Sequence, residues 1–169
     1  MFAKLGITAG LFCASLGLSG VAVAQTFEGT IDGKPQTWHI LTKGNESTVS
    51  ISEQGPGIQM VVIQGHAEPS YAIKGTLTIN VALMNGQPLA SPDVMYFPGD
   101  KMLPSYTSDA DAPGEFSIAL KDETSQKVQV QGQYKGRLYL AEKIGQDLNK
   151  DKSIDVSVSF DLPALKMKQ

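Results

Sequence analysis

Two stretches decide the fold: KVQVQGQYKGRLYLAE (residues 127–142) and SIDVSVSFDL (residues 153–162). In the second stretch every even-numbered residue from Ile154 to Leu162 is apolar, and every odd-numbered residue is Ser or Asp. The first stretch keeps the same register, with polar side chains between its apolar positions. Strict alternation predicts strands with one buried face and one wet face. Such strands are typical of antiparallel sheets.

Outside these stretches the same pattern, weaker in most cases, predicts seven more strands. These are Thr26–Ile31, Gln36–Thr42, Ser47–Ser52, Ile58–Gln64, Tyr71–Leu83, Asp93–Phe97 and Phe116–Leu120. The dipeptide Asp32-Gly33 predicts a tight hairpin between the first two. Glycines at 75, 132 and 136 interrupt the apolar register and predict bulges or bends.

This strand pattern predicts an all-β fold, an antiparallel β-sandwich of about eight to nine strands. A lipocalin-like closed β-barrel is the alternative, because it presents the same alternation. An outer-membrane barrel needs aromatic girdles at both interfaces. The aromatic content of 7% favours the sandwich.

The first 24 residues read as a secretory signal peptide. Lys4 precedes an apolar run, Leu5–Val21, that ends in Ala22-Val23-Ala24. A basic start, an apolar segment and a small-x-small cleavage site are the three parts of such a peptide. We therefore expect an exported protein, in the periplasm or outside the cell, with residues 25–169 forming a single domain. No later stretch of the sequence is long and apolar enough to span a bilayer.

Composition excludes several function classes. A formal charge of −3 gives no footprint for nucleic acid. The single cysteine, Cys13, falls in the predicted leader, and two histidines are too few for a three-His zinc site. No G-x-S-x-G motif or other catalytic constellation is visible. The sequence favours a non-enzymatic binding or structural module without a cofactor. A barrel that carries a small lipophilic ligand and a calcium-stabilised envelope domain are the alternatives.

One motif suggests calcium. Oxygen-bearing side chains alternate in DLNKDKSID, which resembles the first nine positions of an EF-hand-type loop. The candidate ligands are Asp147, Asn149, Asp151, Ser153 and Asp155. The pattern departs from that loop at Lys152, where glycine is expected, and at Val158, where a bidentate Glu is expected. The alternative is a polar hairpin loop between two strong strands.

A second candidate site is the segment Asp93–Gly114, which combines methionine, aromatic and proline residues. Long loops on β-scaffolds carry function, and methionine and aromatic side chains make adaptable contacts. The predicted ligand- or partner-binding residues are Met95, Tyr96, Phe97, Met102, Leu103 and Tyr106. The alternative is a loop that packs on itself and closes one end of the sandwich.

The two histidines, His39 and His66, have no assigned role in the sequence. A copper site that combines them with methionines is chemically allowed. The methionines in question are Met60, Met84, Met95 and Met102. No two of these residues lie at ligand spacing, so core and surface positions are the favoured interpretation.

Overall fold

The computed structural model describes residues 25–167 and confirms the predicted all-β, sandwich-like fold. The predicted leader lies outside the described residues. Within residues 25–167 there is no helix that could cross a membrane. The strands of this part are β1 (Gln25–Ile31), β2 (Lys34–Ile40), β3 (Thr42–Lys43), β4 (Glu46–Ser47), β5 (Val49–Gly55), β6 (Ile58–Gly65), β7 (Leu77–Met84), β8 (Gln87–Pro88), β9 (Asp93–Tyr96), β10 (Ser105–Ser108), β11 (Glu115–Lys121), β12 (Lys127–Ala141) and β13 (Asn149–Met167).

The large sheet folds into two layers that share the long β12–β13 hairpin. One layer runs β11-β12-β13-β1-β2, and the other runs β10-β9-β7-β6-β5. At one end of the hairpin β12 pairs with β10, and at the other end β13 pairs with β5. The pairing therefore runs in a circuit through both layers. The β13–β5 contact is parallel. The sheet is therefore mixed, whereas the sequence predicts a wholly antiparallel one.

The core lies between the layers and is built from the apolar positions of the alternating strands. Val156, Val158 and Leu162 of β13 are buried, as are Ile63 of β6 and Leu83 of β7. Burying one such side chain fully contributes about 1.5–3 kcal/mol to the free energy of unfolding. The cluster is contiguous across both layers. Alternation in the sequence thus translates directly into a two-layer core.

Two Asx-Gly dipeptides make tight turns. Asp32 and Gly33 have φ values of 49° and 74°, and Asn85 and Gly86 have values of 51° and 78°. Type I′ turns require positive φ at both central residues, which Asn, Asp and Gly tolerate best. The predicted hairpin between β1 and β2 is confirmed, with Ile31 opposite Lys34.

Three details differ from the predicted strands. Residues 71–76 are a loop, and β7 begins only at Leu77. Gly132 and Gly136 lie in regular pairing with β13, whereas the register shift falls at Tyr139/Leu140. Because Tyr139 pairs with Ser153 and Leu140 with Asn149, residues 150–152 bulge out of β13. The pattern predicts no separate strand for β3, β4, β8 or β10, because their two to four residues contain no alternating apolar side chains.

Candidate functional site

The outer face of the layer β11-β12-β13-β1 carries a polar trough. Its floor is formed by the polar halves of the same alternating strands whose apolar halves build the core. Three hollows of about 750, 580 and 530 Å³, each widely open to solvent, follow one another along this face and share lining residues. Gln133 and Ser159 belong to the first two hollows, and Lys135 and Ser157 to the last two. We call this surface the polar trough.

Glycines on the inner side of these strands hold the backbones close together beneath the trough. A Cβ atom on Gly29 would overlap the carbonyl oxygen of Ser157 and the side chain of Val158. A Cβ atom on Gly132 would overlap the carbonyl oxygen of Ser117 and the ring of Phe160. Glycine is thus required where a second backbone approaches this closely.

Three of the six charged groups that line the trough have side-chain partners, whereas Glu28, Glu115 and Lys135 have none within residues 25–167. Arg137 donates from Nε and Nη2 to the two carboxylate oxygens of Asp155, at 2.8 and 3.2 Å. This hydrogen bonding lowers the pKa of Asp155 and raises the pKa of Arg137. Farther along, the amides of Gln129 and Gln131 donate to Asp161, at 2.7 and 3.3 Å. The polar trough therefore presents amide and hydroxyl groups together with unpaired charges of both signs.

The six predicted binding residues of the second candidate site do not share one environment. Tyr96 and Tyr106 are cross-strand partners in β9 and β10 and pack against the core, and burial raises the pKa of Tyr96. Phe97 is buried and Met95 is half-buried. At the hairpin tip, Met102 is 66% exposed.

Beside this tip lies a separate hollow of about 360 Å³. Leu103 lines this hollow together with Pro98, Lys101 and Pro104. The structure thus divides the predicted set, with the tyrosines and Phe97 against the core and Met102 and Leu103 at the tip. Binding by this tip stays a prediction.

The predicted calcium ligands lie on the strand β13, on its bulge and in the loop before it. Asp147 is in the loop, Asn149 opens β13, and Asp151 is in the bulge, where its N–H donates to Asn149 Oδ1 at 3.2 Å. Ser153 and Asp155 follow in regular pairing with β12. Side chains two residues apart on an extended strand lie on the same face, with Cα atoms about 7 Å apart. Calcium binding by these five residues stays a prediction. In residues 25–167 no cluster of three His, Cys, Asp or Glu side chains is placed to hold a metal.

The linear pattern does not predict the polar trough, although most of its residues lie in the two strongly alternating stretches, 127–142 and 153–162. Alternation identifies an outward face but not whether that face is flat or hollow. Gly132 and Gly136 are the sequence feature that relates to the trough, because glycine allows close backbone approach, but the sequence pattern predicts bulges or bends there. Comparison with known proteins finds no family model, no curated protein and no solved structure that matches this chain.

Proposed function

We propose that the protein is an exported, non-enzymatic binding module whose polar trough takes an uncharged, hydroxyl-rich chain such as an oligosaccharide. The observation that carries this proposal is the run of three overlapping hollows on one sheet face. The predicted leader supports a location in the periplasm or outside the cell. Ligand sites are concave and use a few well-placed polar groups for orientation.

The chemistry of the trough favours a neutral ligand. The side-chain amide of Gln133 offers both donors and an acceptor, and the hydroxyls of Ser117, Ser157 and Ser159 each offer one donor and an acceptor oxygen. A strongly charged ligand would meet unpaired groups of its own sign, Glu28 and Glu115 for an anion and Lys135 for a cation, and would compete with the bidentate Arg137–Asp155 pair. Sugar hydroxyls, which also donate and accept, match this surface without displacing an ion pair.

The ionisable groups with shifted pKa values support a binding role over acid–base catalysis. Asp109 and Asp155 both have lowered pKa values because Lys150 and Arg137 donate hydrogen bonds to them. A general acid at neutral pH needs a raised carboxyl pKa. These two carboxylates are held in the charged form, which suits a structural ion pair.

The filled interior favours a ligand bound on the outside of the sheet and argues against a lipophilic ligand carried between the layers. Buried apolar side chains from both layers form one contiguous cluster between the sheets. Trp38 and Tyr134, the largest of them, are 1% and 0% exposed. A carrier needs the space that these rings occupy.

The test is binding of neutral tetrasaccharides, built from hexoses or N-acetylhexosamines, followed by NMR shifts of the trough amides. We expect saturable shifts along β12 and β13 with at least one of these sugars. Ser159→Arg places a long side chain in the trough and should weaken binding at least tenfold. Ser153→Arg, on the same strand and face but outside the three hollows, is the matched control. Shifts confined to other surfaces, or equal binding by both variants, would overturn the proposal.

A further inference from the structure

The two histidines of the chain, 27 positions apart, are direct neighbours across two strands. His39 in β2 and His66, immediately after β6, exchange both backbone hydrogen bonds, at 2.7 and 3.0 Å. Residues opposite one another in an antiparallel pair project to the same face, with Cβ atoms about 5 Å apart. Because the adjacent Trp38 and Ile40 point into the core, this shared face is the outer one.

The imidazole of His66 is fixed by its surroundings and is only 3% exposed. Its Nδ1 lies 3.0 Å from the carbonyl oxygen of Ala72 and 3.1 Å from Oγ1 of Thr76. Thr76 itself donates to the same carbonyl oxygen at 2.8 Å. Since a carbonyl only accepts, this network assigns the proton to Nδ1 and leaves a lone pair on Nε2.

Both rings then have a nitrogen with no partner. Nε2 of His66 and Nδ1 of His39 are buried, and neither has a hydrogen-bond partner among the described residues. Tyr71 packs edge-on against His66, with ring centroids 5.6 Å apart, so the loop of residues 67–76 covers His66. A buried nitrogen without a partner is costly, and such groups often mark an ion or a functional site.

We propose that His39 and His66 together bind a transition-metal ion through Nδ1 and Nε2, with Cu²⁺ as the preferred ion. Metal-binding histidines characteristically donate the other ring N–H to a backbone carbonyl, as His66 does to Ala72. Imidazole suits copper and zinc, and Cu²⁺ binds most tightly in the first-row series. Two protein ligands fall short of the three or four of zinc sites, so water completes the coordination. No methionine ligand is required.

His39 and His66 are the only histidines of the chain, so any imidazole bound to copper must belong to one of them. The purified full chain, without a polyhistidine tag, is titrated with CuCl₂ at pH 7 and followed by calorimetry and electron paramagnetic resonance. We expect one Cu²⁺ per chain, a spectrum with imidazole nitrogen couplings, and tighter binding than for ZnCl₂.

Two variants remove one ligand each while they preserve the neighbouring contacts. His66→Asn retains a donor at the Nδ1 position for Ala72 but lacks Nε2. His39→Gln lacks Nδ1. Because His39 is less buried than His66, we expect this variant to fold even if His66→Asn does not. Each should weaken Cu²⁺ binding at least tenfold, whereas Met167→Leu, at an exposed position elsewhere, should leave it unchanged. Unchanged affinity in His39→Gln, or a spectrum without imidazole nitrogen, would overturn the proposal.

Discussion

The hydroxyl of Tyr134 lies in the core and has no hydrogen-bond partner within residues 25–167. Burial raises the pKa of this phenol to about 12. A Cβ atom added to Gly136 would overlap this same hydroxyl. Gly136 thus provides the space for the end of the Tyr134 ring, and the two positions are energetically coupled.

We expect Gly136→Ala to lower the free energy of unfolding by about 1–3 kcal/mol, because the new methyl group overpacks the core. Tyr134→Phe alone should be neutral or stabilising by about 1 kcal/mol, since it removes an unpaired buried hydroxyl. In the Tyr134→Phe background the loss caused by Gly136→Ala should shrink. Urea unfolding of the four proteins measures this coupling, and equal losses in both backgrounds would contradict it.

The Asp109–Lys150 ion pair makes the stability of the fold depend on pH. Nζ of Lys150 lies 2.5 Å from Oδ2 of Asp109, whose side chain is 11% exposed. The hydrogen bond from Lys150 lowers the pKa of Asp109. A carboxyl with a lowered folded-state pKa stabilises the fold above its unfolded value, near 3.9, and this stabilisation is lost as pH falls through the folded-state pKa.

Asp109→Asn should therefore lower Tm at pH 7 and flatten the fall of Tm below about pH 4. Lys150→Met should flatten the same part of the curve. Asp100→Asn, at an exposed loop position, is the control and should follow the native curve. Thermal unfolding from pH 7 to pH 2 provides the measurement, and a variant curve parallel to the native one would count against this role.

At the scale of elements, the bulge at residues 150–152 directs two lysines toward acidic neighbours. Lys150 contacts Asp109, and Nζ of Lys152 lies 3.7 Å from Glu142. These cations occupy the part of the DLNKDKSID motif where a calcium loop needs negative charge and a glycine turn. Ion pairs across the bulge are thus an alternative to calcium for stabilising the β12–β13 hairpin.

We expect Tm to differ by less than about 1 °C between millimolar calcium and excess chelator, because a ligand stabilises only the state that binds it. Thermal unfolding of the native protein and of Asp151→Ala tests this expectation. A calcium-dependent rise in Tm that Asp151→Ala abolishes would instead establish the predicted calcium site.

Elements with strong alternation were predictable, and those without it were not. The alternating residues of β12 and β13 determine both the strands and their buried faces. β10 has the sequence SYTS, with one apolar residue, and its place is set by pairing with β9 and β12 instead. Tyr71 and Ile73 continue the alternation of β7, yet their loop turns away to cover His66. Tertiary contacts therefore override local pattern at these points.

For the whole molecule, residue partners far apart in sequence were beyond prediction. Alternation fixes which face of a strand is buried but not which strand lies beside it. The His39–His66 pair and the polar trough both arise from strand order, so neither appears in a linear pattern. The same holds for the parallel contact of β13 with β5, which closes the circuit between the layers.

The parallel pairing of β13 with β5 can be tested by truncating the C-terminal end of β13. Removing residues 165–169 deletes the pairing of Leu165, Lys166 and Met167 with β5, along with the ion pair between Lys166 and Glu123. Each lost hydrogen bond costs about 0.5–1.5 kcal/mol, so Tm should fall by about 5–10 °C. Lys166→Ala, which removes the partly exposed ion pair and keeps the backbone pairing, should cost far less. Because the β12–β13 hairpin still joins the layers at β10, unfolding should remain a single transition in calorimetry. Two transitions would show that the layers unfold separately.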